Sequence, residues 1–263
     1  MNHCGQLLKL WRKHRHISQL ELSLVTNISA RHISFIETGR TKASKEVLLL
    51  LANGLNMPLS EQNLLLNSAG FPAVYTTNSL EDQEMLPVKN VLELILTNHQ
   101  PYPALVLDWH WNIVLANSVH NKMMQVLKTA NPQLIDSNNL IDLVFHQQGL
   151  RTFIQNWQQV ADIMLARIQR EIMLNPERSK GLMAKLKPYL SEDCLTAKVL
   201  APQASQPMLH VDLSLGDVGL KLFSTLATFG TATDITMQEL IIEQYFPVDE
   251  STQAFFHQLQ DMA

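Results

Sequence analysis

The chain has 263 residues, 46% of them apolar and 17% charged, which is material for two buried cores but includes no apolar stretch long enough to span a membrane. The formal net charge is −4, yet residues 1–58 hold eight Lys/Arg against three acids, a balance of +5 that leaves −9 on residues 59–263, so one segment suits phosphate and the other does not. The N-terminus lacks the apolar core and cleavage site of a signal peptide, and Cys4 and Cys194 stand alone without a disulfide framework or metal-ligand spacing, so a cytoplasmic location is expected.

Ser18 caps a helix in which Leu20, Leu22 and Val25 recur at helical spacing, with Glu21 in the first turn where the helix dipole favours an acid. Thr26 and Asn27 break the pattern. Ser29 caps a second helix with Ile33, Phe35 and Ile36 on its inner face, and Thr38-Gly39 ends it. Two short capped helices joined by a tight turn form a helix-turn-helix, whose second helix lies in the major groove with its first residues at the base edges. Ala30, Arg31, His32 and Ser34 then face outward as readers, with Ser18 and Ser29 at the two helix starts completing the candidate set. Arg31 is the sharpest candidate, since a bidentate arginine–guanine pair is worth roughly 1–3 kcal/mol of discrimination; the competing reading is a merely solvated helix arginine. Gln19, Arg40, Thr41 and Lys42 are placed to reach phosphates. Lys45 to Asn53 reads as a fourth helix, Gly54 to Pro58 as a stop, and Ser60 to Ala69 as a fifth helix capped by Ser60, completing an all-α, five-helix domain over residues 1–70.

Ser-Gln-x-x-Leu followed by Ile-Ser-x-x-x-Ile-Ser-x-Ile-Glu-x-Gly-Arg resembles the Cro/repressor-type helix-turn-helix of the XRE family of regulators, over about Gln6 to Asn67. The resemblance implies a structural pair between Arg12 on the first helix and Glu37 closing the recognition helix. Two positions depart from the family pattern: Asn27 stands where glycine is usual in the turn, and Ser44 where proline often begins the fourth helix. Asparagine tolerates the left-handed conformation and serine is a good cap, so both fit.

Residues 71–86 contain Pro72, small polar residues and the acids Glu81, Asp82 and Glu84, with Pro87 directly after, and read as a linker to a second domain over 87–263. There Val88 to Asn98 is helical, Ala104 to Asp108 and Asn112 to Ala116 form a hairpin around Trp109-His110-Trp111, and Asn117 or Ser118 caps a helix to about Leu127. Helical periodicity follows over 138–146, 152–174, 176–190 and 192–200, with Pro176 at a helix start. Leu209 to Leu215, Leu220 to Thr228 and Gln238 to Tyr245 read as an antiparallel meander, turning at Gly216-Asp217 and at residues 230–234, before a last helix from Ser251 to Gln260.

The hairpin resembles the opening of a PAS-type sensor. The segment as a whole resembles the C-terminal domain of MmyB-like transcription regulators, most specifically in Tyr-Pro-Ala-Leu-Val-Leu-Asp at 102–108, Thr-Phe-Gly-Thr-Ala-Thr-Asp-Ile-Thr at 228–236 and Phe-Pro-Val-Asp-Glu-Ser-Thr at 246–252. That resemblance implies an α+β, PAS-like fold with an antiparallel sheet and a helical insertion, built to bind small ligands. A pocket between the sheet and its covering helices would draw on Trp111, Phe153, Trp157, Met164 and Phe223, with Arg151 or Arg167 facing a carboxylate, and would suit a fatty acid or another hydrophobic molecule. The competing reading makes these residues plain core and the second domain only a dimerisation or docking module.

Nothing assembles for catalysis or a metal. His14 and His16 lack a partner at ligand spacing, Ser191-Glu192-Asp193-Cys194 lacks the glycines of a nucleophile elbow, Gly216-Asp217-Val218-Gly219 is a turn, and Asp136 and Asp142 read as solvated charges. The expectation is a non-enzymatic transcription regulator that binds a double-stranded DNA operator as a homodimer and carries a small apolar effector, without a cofactor or membrane attachment.

Overall fold

The computed structural model describes residues 3–174, 180–190 and 210–262. Two compact units emerge, residues 1–84 with 229–238 and residues 85–228 with 239–263, each around its own apolar core.

The first unit is built from α1 (His3–His14), α2 (Gln19–Thr26), α3 (Ala30–Thr38), α4 (Lys45–Gly54) and α5 (Leu59–Ser68). Serines set three helix starts: Ser18 and Glu21 form a reciprocal capping box, Ser29 accepts from the His32 N–H, and Ser44 accepts from the Val47 N–H. Asn27 takes the left-handed conformation (φ 56°) that turns α2 into α3, and Gly39 (φ 76°) ends α3 in the same region. Leu8, Trp11, Leu22, Ile33, Ile36, Leu48, Leu51, Leu65 and Leu66 fill the core. Of the three apolar residues expected to face inward from α2, only Leu22 does. Leu20 is 64% and Val25 68% exposed, because at about 100° per residue Leu20 lies about 160° round the helix from Leu22, and one leucine fills the space between α3 and α4. Gly54 does more than stop α4: a Cβ there would meet Thr26 Cγ2 at 2.4 Å, so glycine allows α4 to approach α2.

α5 begins at Leu59, one residue before the expected serine cap. The Leu59 N–H donates to Gln238 Oε1 at 2.8 Å, a cap supplied from 179 residues away. The start of the expected linker is also fastened within this unit. Asn63 accepts from the Val74 and Tyr75 N–H groups and donates to the Tyr75 carbonyl, while the Tyr75 hydroxyl donates to Gln62. Asp234 accepts from Thr76 Oγ1 (2.9 Å) and Asn78 Nδ2 (3.2 Å), and the Ile235 N–H donates to the Thr76 carbonyl. Residues 229–238 thus complete a unit begun at the other end of the chain.

The second unit contains α6 (Leu86–Asn98), β1 (Ala104–Leu107), β2 (Ile113–Ala116), α7 (Ser118–Ala130), α8 (Leu140–Phe145), α9 (Trp157–Leu174), α10 (Lys180–Leu186), β3 (Val211–Leu215), β4 (Val218–Thr228), β5 (Ile241–Pro247) and α12 (Glu250–Asp261); α11 (Ile235–Glu239) lies in the segment that joins the first unit. The strands form one antiparallel sheet in the order β2-β1-β5-β4-β3. Asn117 caps α7 through the His120 N–H, and Gly216 (φ 62°) makes the β3–β4 turn. The third strand of the expected meander starts at Ile241 rather than Gln238: Asp234 accepts from the Met237 N–H and nucleates α11, which takes up Gln238. Leu150–Thr152 is a single 3₁₀ turn and α9 starts only at Trp157. The expected start of a helix at Pro176, the helix over 192–200 and the Ser191–Cys194 stretch lie outside the described residues.

Candidate nucleic-acid interface and ligand cavity

At the start of α3, Arg31 is exposed and Ala30, His32 and Ser34 are half-buried. Arg31 and Arg40 each hold a guanidinium near the Phe35 ring, 5.3 and 5.8 Å from its centroid. Phe35, read as an inner-face residue, is half-buried, and its ring is a platform that orders two cations at the edge of α3. The signal was available as an arginine four residues before Phe35 and another five after it. Lys42 is exposed and Thr41 half-buried in the loop that follows.

Three of the expected contacts serve the scaffold. The Ser18 and Ser29 hydroxyls are helix caps, and the Gln19 amide donates to Glu37 Oε2 at 2.9 Å. Glu37 also takes both branches of the Arg12 guanidinium, Nε at 2.6 Å and Nη2 at 2.8 Å, while Arg12 Nη1 donates to the Ile17 carbonyl. The pair implied by the resemblance is therefore present, with Glu37 buried. It locks α1 to the end of α3 and so sets the angle at which the reading helix leaves the core.

In the second unit, α7, α8 and α9 cover one face of the sheet and line with it a partly open cavity of about 230 Å³. Its walls are apolar, with Leu105 from β1, Leu222 and Leu226 from β4, Met123 and Leu127 from α7, Leu143 from α8, and Val160 and Met164 from α9. Side chains alternate across a strand, so Leu222, Ser224 and Leu226 share this face with their cross-strand neighbours Tyr245 and Glu243.

Of the residues expected to surround a ligand, Trp111, Met164 and Arg167 line the cavity. The other four lie outside its lining. Phe223 points to the opposite face of the sheet, as the residue between Leu222 and Ser224 must, and stacks on Phe246 at 5.2 Å. Trp157 donates its indole N–H to the Val144 carbonyl and carries the Arg151 guanidinium 3.8 Å from its ring centroid, which engages both residues elsewhere. Phe153 is buried in the surrounding core. Asp142, read as a solvated charge, accepts from Ser137, Tyr189 and Lys185.

Polar groups gather at one part of the cavity. The Arg167 guanidinium lies 4.4 Å from the Trp111 ring centroid and 3.5 Å from Glu171 Oε1, and the Trp111 indole donates to Glu171 Oε2 at 3.1 Å. Burial raises the Glu171 pKa against the opposing pull of Arg167. Burial raises that of Glu243 too, opposed by Arg167 and by the Ser224 and Tyr245 hydroxyls. His120 is pulled down to about 4 by burial and is neutral at physiological pH. Glu243 escaped notice in the sequence; a carboxylate within the apolar run Ile-Ile-Glu-Gln-Tyr of a central strand was the available signal.

Among the described residues no group of three or more His, Cys, Asp or Glu is placed to hold a metal ion, and no helix is long and apolar enough to cross a membrane. Comparison with protein families matches residues 8–62 to a helix-turn-helix model and residues 88–259 to the MmyB-like transcription regulator ligand binding domain. No curated protein matches the chain.

Proposed function

The chain belongs to the MmyB-like transcription regulators, DNA-binding proteins with a ligand-binding domain, and from that premise we propose that it reads a specific operator as a homodimer and senses a small, predominantly apolar molecule, such as one with a fatty-acyl chain. Arg31 reads a guanine edge, Ala30, His32 and Ser34 complete the reading surface, and Arg40, Thr41 and Lys42 hold phosphates. Pairing follows from the few base pairs that one recognition helix covers, with the two heads set about one DNA turn apart. The observation that carries the sensing role is the partly open apolar cavity with a few convergent polar groups, the form that small-molecule sites take.

Native mass spectrometry of the purified full-length protein, followed by denaturing extraction, tests this reading. A stoichiometric apolar ligand that changes operator affinity when added back supports it. A ligand-free dimer whose operator affinity no extract alters overturns sensing and leaves a dimerisation module. For DNA reading, Arg31→Ala is expected to weaken operator binding by roughly 1–3 kcal/mol and to relax preference at one base pair. Equal losses on operator and random DNA would remove Arg31 from that role.

A further inference from the structure

Two atoms at the polar part of the cavity are buried without a partner: Glu243 Oε2 and Arg167 Nη2 find no hydrogen bond among the described residues. Glu243 is only 7% exposed, and both residues line the cavity. Buried polar groups are nearly always paired, and here an acceptor and a donor are left open together. The backbone beside them is strained. Trp111 adopts φ 66°, a left-handed conformation that aromatic residues rarely take, and the turn is held there by Asp108, which accepts from the His110 and Asn112 N–H groups, and by Asn139, which donates to the His110 carbonyl. Strain of this kind gathers at ligand sites.

The charges around these atoms determine what could pair with them. Among the described residues Arg167 is the one cation lining the cavity; it already faces Glu171 on α9 and Glu243 on β5, while His120 on α7 is neutral and Ser224 and Tyr245 add only hydroxyls. A carboxylate brought here meets two acids and one engaged arginine. Burial already favours the neutral form of Glu243, and an anionic head placed beside it would favour that form further. A neutral head has no such effect.

Building on the ligand-sensing reading above, we propose that the cavity selects a neutral amphiphile whose head carries a hydrogen-bond donor beside an acceptor, such as the primary amide of a medium-length alkyl chain, over the corresponding carboxylate. The amide N–H donates to Glu243 Oε2 and its carbonyl accepts from Arg167 Nη2. The cavity, about 230 Å³, sits just below the usual range for small-molecule sites, roughly 300–1,000 Å³, which favours a short chain.

Calorimetric titration of the full-length protein with octanamide and octanoate tests the proposal. At pH 8 octanamide should bind at least tenfold more tightly. Between pH 6 and pH 8 octanoate should weaken severalfold while octanamide does not change. Glu243→Gln should bring the two within about threefold by strengthening octanoate. Octanoate binding as tightly as octanamide to the wild type at pH 8 overturns the proposal and leaves ligand sensing standing, as does a preference that Glu243→Gln leaves intact. The wild-type ratio and its pH dependence decide the matter even if the variant does not fold. Binding of neither compound overturns this proposal, while the sensing reading stands or falls by the extraction experiment above.

Discussion

Each unit buries a glutamate beside an arginine, and the two pairs are finished differently. In the first unit Glu37 takes two bonds from Arg12 and one from Gln19. In the second, Glu243 and Arg167 lie close enough to interact electrostatically, yet each keeps an atom with no hydrogen bond among the described residues. A buried charge with its bonds complete holds a scaffold in register, whereas the one left incomplete here is what the proposed ligand would complete. The first unit accordingly keeps its chemistry on the surface of α3, and the second keeps its own inside.

The contrast predicts opposite signs for the same substitution. Glu37→Gln should be the most damaging change, costing about 3–5 kcal/mol, because it leaves the Arg12 guanidinium buried without its counter-charge; urea unfolding followed by a probe in the first unit measures it. A loss below about 1 kcal/mol would place Glu37 among ordinary surface pairs. In the second unit the largest effect is one of pH. His120 titrates at about 4 when folded and near 6.5 when unfolded, so protons bind the unfolded chain first as pH falls. Its contribution is intact above about pH 6.5 and is lost progressively toward pH 4; by pH 5 roughly 2 kcal/mol should be gone relative to pH 7.5. His120→Gln should flatten that part of the pH profile in denaturant titrations, and an unchanged profile would mean that His120 is solvated.

Glu243→Gln sharpens the comparison most directly. It removes a buried, incompletely bonded carboxyl and should stabilise the ligand-free protein by about 1–2 kcal/mol, opposite in sign to Glu37→Gln. Destabilisation of similar size would show that Glu243 is scaffold after all. The smallest effect belongs to the exposed rim of the first unit. Lys42→Ala should weaken operator and random DNA alike and reduce the slope of log affinity against log salt by about 0.9, the share of one phosphate contact. Anisotropy titrations at several salt concentrations would register it.

What could be read in the sequence was local. Ser18, Ser29 and Ser44 as caps, Asn27 and Gly39 as left-handed turns, and Gly216 in a hairpin depend on residues a few positions apart, and the structure realises each. What escaped depended on parity or distance. Phe223 was assigned to the cavity although its neighbours Leu222 and Ser224 occupy that face, a shift of one residue that reverses a side chain in a strand. Arg151 and Trp157 were read as separate ligand contacts and instead satisfy each other. Glu243 is marked locally only as an acid in an apolar strand, and its meaning comes from Arg167, 76 positions earlier, and from the helices that close over the sheet. Gln238 reads as the first residue of a strand, and no periodicity connects it with Leu59.

That last bond has a consequence for the order in which the protein is made. At translation rates of about 5–20 residues per second, Gln238 follows Leu59 out of the ribosome by roughly 9–36 s, and for that interval the α5 N-terminus lacks this acceptor. The core of that unit is drawn wholly from residues 4–71, so what the nascent chain lacks is this cap and the other bonds that residues 229–238 bring, not the core itself. A chain ending between the first unit and Gln238 would keep that core and start α5 without the Gln238 acceptor.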